Sequence, residues 1–143
     1  MNHCLLGLSL FVLFSIAGAQ EKAVTIQIKL VNGQTGNPMK NMQVGLEDGA
    51  DYHEISLRTN ESGIASLSTK SDAVILTHNT DEYVNCGDER GGLIHNDFKI
   101  SQILSTGIVQ LIEQPNLCSK TSSGAKPGVL VLFVRPWRFG EKI

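Results

Sequence analysis

The sequence has few charges, few aromatics and almost no cysteine, and each shortage removes a class of function. Lys and Arg total 12 against 14 Asp and Glu in 143 residues, a formal net charge of −2. The basic residues are spread along the chain and do not form the dense patch that nucleic acid or an anionic membrane surface requires. The three cysteines have no CxxC spacing and no neighbouring His pair, so a four-ligand zinc site is not encoded. Gly91-Gly92 lacks the Gly-Lys-Ser/Thr ending of a phosphate loop and the glycine fingerprint of a dinucleotide site. No serine stands in a Gly-x-Ser-x-Gly elbow, which leaves a serine triad without support.

Apolar runs are short as well. Residues 5–14 form one, uncharged and too brief to span a bilayer comfortably, and Ala17-Gly18-Ala19 follows with the small residues a signal peptidase reads. The expectation is a signal peptide over 1–19, with cleavage between Ala19 and Gln20. The n-region Met1-Asn2-His3 carries no Lys or Arg, so a retained anchor is the alternative. Cys4 precedes the apolar run and would leave with the signal. The remaining pair, Cys86 and Cys118, is then expected to form a disulfide in an oxidising compartment, closing a loop of about 33 residues worth roughly 3 to 4 kcal/mol. The expected location is exported, periplasmic or extracellular, with no transmembrane segment left after signal removal.

What the chain does have is strand periodicity. Val24, Ile26, Ile28 and Leu30 alternate with Thr25, Gln27 and Lys29, placing one face in a core and the other in water. Met42, Val44 and Leu46 repeat the alternation, as do Ile55 and Leu57. The turn Asn60-Glu61-Ser62-Gly63 hands the chain on to Ile64, Ala65 and Leu67. Residues 74–78 read as a strand, 108–112 rejoin the sheet, and 129–134, apolar throughout, read as a central strand covered on both faces. Ile100, Ile103 and Leu104 fall at helical spacing before Gly107, which predicts a short helical turn over 101–105. Residues 20–143 are thus expected to form one all-β domain. Asn60-Glu61-Ser62 is also an N-glycosylation sequon.

Gly36, Pro38, Met39, Met42, Val44, Thr59 and Gly63 occupy the positions of a strand–"TGxPLxxVxV"–"TDxxGxaxf" pattern. On these motifs the chain resembles the carboxypeptidase regulatory-like, prealbumin-like or transthyretin-like domains found in small exported bacterial proteins. The resemblance covers about a third of the chain and implies a Greek-key β-sandwich of about seven strands. Such sandwiches host enzymes, and two were considered. An intradiol dioxygenase would need a close His-x-His pair, and a hydroxyisourate hydrolase a Tyr-Arg-Gly-Ser-like tail; neither is present.

The residues that remain for chemistry are few. The acidic stretch 47–54 lacks the alternating oxygen spacing of a calcium loop and reads as a solvated hairpin tip. His53, His78 and His95 are weak metal candidates, and no cofactor is expected. His78, at the end of an apolar strand, reads as a rim residue with one satisfied nitrogen. The tail offers Arg135, Trp137, Arg138 and Phe139, with Trp137, Phe139 and Arg135 on one side of an extended chain and Arg138 opposite. Either the aromatics fold back to cover core, or the group is an exposed anchor for a partner. The function these features favour is a non-catalytic binding or structural module of the cell envelope, contacting a protein or glycan through loops or a sheet edge. The alternative is a small metal-dependent hydrolase or oxygenase built on residues 86–96, the longest irregular stretch.

Overall fold

A computed structural model describes residues 22–87, 96–112 and 117–141. The segment 1–19 expected to act as a signal, with Ala19 and Gln20, lies outside the described residues, as does His95. The described chain is mostly strand, arranged in two sheets with one short helix.

The first sheet is built around β1 (Ala23–Asn32). On one edge β1 pairs antiparallel with β4 (Ile64–Lys70), from Ala23↔Lys70 to Lys29↔Ile64. On the other it pairs in parallel with β9 (Val129–Arg135), from Gln27↔Val129 to Asn32↔Val134. Two short strands share the far edge of β9: β8 (Ile108–Val109) pairs with its first half and β6 (Val84–Asn85) with its end. Between them the side chain of Gln110 replaces a strand. Its Oε1 accepts the Phe133 amide at 3.0 Å and its Nε2 donates to Asn85 Oδ1 at 2.6 Å. The second sheet runs β3 (Glu54–Arg58), β2 (Gln43–Asp48), β5 (Val74–Thr77), β7 (Asn96–Lys99), all antiparallel.

The period-two pattern decides how the sheets meet. Ile26, Ile28 and Leu30 of β1 and Leu130, Leu132 and Val134 of β9 face Val44 and Leu46 of β2, Ile75 of β5 and Phe98 of β7 in one buried core. Each such side chain contributes about 1.5–3 kcal/mol by leaving water. The helix α1 (Ile100–Thr106) adds Ile100 and Ile103 to this core. Gly107 ends it at φ 71°, its amide donating to Ile103, as the sequence spacing predicts. The opposite face of β1 and β9 is also covered: Val31, Val131 and Phe133 pack against Cys86 and Cys118. The full burial of β9 expected from its composition therefore has a distinct cause on each side.

Cys86 and Cys118 are joined by a disulfide. It lies so close to Gly33 that a Cβ there would stand 2.5 Å from Cys86 Sγ and 2.8 Å from Cys118 Cβ. The turn after β3 forms as expected: Asn60 Oδ1 accepts the amides of Ser62 and Ile64, and Gly63 takes φ 72°. Thr59 is buried beside it, accepting the Met42 amide and donating to the Met39 carbonyl.

Two expectations are revised, and one strand is added. Helix α1 is longer by a residue at each end than 101–105. The strand expected over 108–112 stops at Val109, because Gln110 turns its side chain into the sheet and Leu111 is exposed. Pairing with β5 makes a strand of Asn96–Lys99, where the sequence offers a single aromatic among polar residues.

Candidate functional site

The site grows from an unfinished strand edge. β5 ends at Thr77, so among the described residues β2 has no strand partner on that side beyond the Leu46↔Thr77 pair. The segment 78–83 supplies side chains in its place. Tyr83 Oη accepts the Gly45 amide at 2.8 Å, and Glu82 Oε2 accepts the Gln43 amide at 2.7 Å. The other Glu82 oxygen is held by both Nη atoms of Arg58 on β3, at 3.2 and 2.6 Å. Tyr83 is buried in the main core, and this burial pushes its hydroxyl pKa up to about 12 against the opposing effect of the Gly45 amide.

Gly45 permits the arrangement. A Cβ there would stand 2.4 Å from the His78 carbonyl oxygen and 2.8 Å from Thr80 Cγ2, so the loop lies directly on the strand backbone. Thr80 then folds the loop tightly, its Oγ1 accepting the amides of Glu82 and Tyr83. The Thr80 carbonyl accepts the indole N–H of Trp137 at 2.8 Å. That bond ties the segment after β9, in one sheet, to the loop that edges the other.

Between these parts lies an open cleft of about 390 Å³, lined among others by Gln43, Glu47, Glu54, His78, Thr80 and Trp137. Its volume falls within the roughly 300–1,000 Å³ of small-ligand sites. Glu47 and Glu54 are direct cross-strand partners, a like-charge placement that destabilises a sheet. Gln43 Nε2 donates to Glu54 at 2.7 Å; among the described residues the Glu47 carboxylate has no partner. His78 Nδ1 lies 2.6 Å from the Asn79 carbonyl. A carbonyl only accepts, so Nδ1 carries the proton of that bond. Nε2 is buried and lacks a hydrogen-bond partner among the described residues, matching the single satisfied nitrogen expected of this residue.

The remaining candidates are placed as follows. His53 is exposed, with Nδ1 against Asp51 Oδ1. Their mutual hydrogen bond raises the histidine pKa and lowers that of the aspartate. Ligand atoms of Asp48, Asp51 and His53 lie within 4.8 Å of one another, on a surface turn where Asp48 also caps the Ala50 amide. The segment 88–95, which holds most of the stretch considered for an enzyme centre, lies outside the described residues.

The tail does not run extended. Arg135 is buried, and its guanidinium forms a two-pronged pair with Glu141 at 2.7 and 2.9 Å. Glu141 also accepts the Arg138 amide, and Gly140 turns the chain at φ 83°. The Arg135 bond, with the Arg138 amide, lowers the Glu141 pKa to about 2. Trp137 is half-buried on the cleft, whereas Arg138 and Phe139 are exposed. The structure thus separates the four tail residues: Arg135 closes the tail, Trp137 lines the cleft, and Arg138 and Phe139 face solvent.

Sequence reasoning reads Glu47 and Glu54 as part of a solvated hairpin tip and gives Glu82 and Tyr83 no place in a site. A glycine at position 45, inside an otherwise alternating strand, was the available sign of close backbone approach. Comparisons with protein-family models, with curated proteins and with solved structures return no match for this chain.

Proposed function

We propose that this protein is an exported, non-catalytic binding module of the cell envelope, and that it takes its ligand in the cleft edged by Trp137. The observation that carries the reading is the placement of the chain's single tryptophan. Its N–H is bonded to Thr80 and its ring contributes to a cleft, an arrangement that holds an aromatic surface in place for a partner. The disulfide supports export, together with the N-terminal segment expected to act as a signal. The seven longer strands lie in two facing sheets, which supports the Greek-key, prealbumin-like reading of the motif.

The sole tryptophan gives one indole N–H resonance, which makes the test direct. Titrating labelled protein with defined short peptides and neutral oligosaccharides is expected to move that resonance saturably with at least one of them. A signal unmoved across the panel at millimolar concentration would sink the reading. Export is checked separately by intact mass, expected to begin at Gln20.

A further inference from the structure

We propose that the cleft takes a cation, namely a lysine or arginine side chain presented by a basic segment of a partner protein; this rests on the binding reading above. The inference comes from the cleft's paired carboxylates and its tryptophan. Glu47 and Glu54 stand directly opposite each other on paired strands, and the only hydrogen bond to either carboxylate among the described residues comes from the neutral amide of Gln43. Two carboxylates in that register repel each other, and a cation between them would reverse the term. His78 lines the same cleft, with its Nδ1 directed to the Asn79 carbonyl. Trp137 also lines the cleft, and an indole ring attracts ammonium and guanidinium groups over its face. Paired carboxylates beside an indole are complementary to an N–H-rich cation.

A compact divalent ion fits less well than an organic cation. Among the described residues, the three-residue set whose ligand atoms converge within 4.8 Å is Asp48, Asp51 and His53, outside the cleft lining. The cleft's acceptors are spread over a volume of about 390 Å³, which suits the length and several donors of a basic side chain. Arg58, on the strand paired with β2, is already engaged by Glu82, so it does not fill the place from within.

The test uses the purified protein and two blocked pentapeptides, Gly-Lys-Gly-Lys-Gly and its neutral counterpart Gly-Gln-Gly-Gln-Gly, with chitotetraose as a neutral sugar. Trp137 emission and its indole N–H resonance are followed. The lysine peptide is expected to move both saturably and to bind more weakly as salt rises, whereas the glutamine peptide leaves both unmoved. The double variant Glu47→Gln/Glu54→Gln should weaken binding by roughly tenfold or more. Glu61→Gln/Asp72→Asn removes the same charge outside the cleft lining and should change it by less than about twofold. Equal losses in the two double variants, with both melting like the parent, would overturn the inference by showing a general charge effect. A response to chitotetraose without one to the lysine peptide would overturn it while leaving the binding reading standing. No response to any of the probes would count against both.

Discussion

The hydroxyl of Tyr83 accepts the amide of Gly45 at 2.8 Å, completing with a side chain the strand edge that β5 leaves open. Both groups are buried. Tyr83→Phe keeps the ring in the core and removes only the acceptor, so the Gly45 N–H is left without a partner. The expected loss is about 1–3 kcal/mol, read from chemical denaturation. The phenol supplies a second measurement. Burial favours its neutral form, so its contribution is intact below the ordinary value of 10.0 and is lost as pH rises through about 12. Phenolate absorbance from Tyr83 should therefore appear only at the alkaline end of the titration, and that late step should be missing in Tyr83→Phe.

Gly33 and the disulfide form one packing unit. Gly33→Ala would drive a methyl into Cys86 Sγ and Cys118 Cβ, and overpacking of this kind costs about 1–3 kcal/mol. The penalty should shrink when both cysteines are replaced by alanine, because the two sulfur contacts at 2.5 and 2.9 Å are gone and only the Cβ at position 118 remains close. A thermodynamic cycle between these changes should give a coupling of about 0.5–3 kcal/mol; strict additivity would show that the disulfide is not what restricts position 33. Reduction alone is expected to cost roughly 3 to 4 kcal/mol from loop entropy, and non-reducing peptide mapping should recover Cys86 linked to Cys118.

The tail latch has a pH signature. Glu141 is held near a pKa of about 2 by Arg135 and the Arg138 amide, below its ordinary value of 4.5. A depressed carboxylate stabilises the fold fully above the ordinary value and loses that contribution as pH falls through the folded one. The stability difference between the parent and Glu141→Gln should therefore persist at pH 5 and fade between about pH 4.5 and 2. A side-chain carboxyl titration by NMR that places Glu141 near 4.5 would contradict the bidentate pair.

How much of this was readable beforehand follows from which residues carry it. β1, the turn at Asn60 and Gly63, and the doubly covered β9 were legible because period-two alternation, turn chemistry and an unbroken apolar run are local signals. β6 has two residues and no period to detect. β7 is a strand because β5 pairs with it, and only Phe98 announces it. The cleft was not legible, since Gln43, Glu54, His78 and Trp137 come from four separate segments whose meeting depends on sheet order. The tail resisted for a different reason. Alternation in 135–139 suggested an extended chain, but the Arg135–Glu141 pair and Gly140 bend it, so residues expected on one side end in different surroundings.

Those surroundings make the last prediction, which separates the two tail aromatics. Trp137 is half-buried and donates to the Thr80 carbonyl, whereas Phe139 is fully exposed. Truncating Trp137 to alanine removes part of an aromatic contact and a hydrogen bond, an expected loss of about 1–3 kcal/mol. Phe139→Ala touches nothing packed and should stay within about 0.5 kcal/mol of the parent. Trp137→Phe restores most of the ring but not the N–H, and should fall between the parent and Trp137→Ala. Differential scanning calorimetry of the three variants checks the order. Equal losses at 137 and 139 would mean that the two rings share one role, and would remove the basis for treating Trp137 alone as the wall of the cleft.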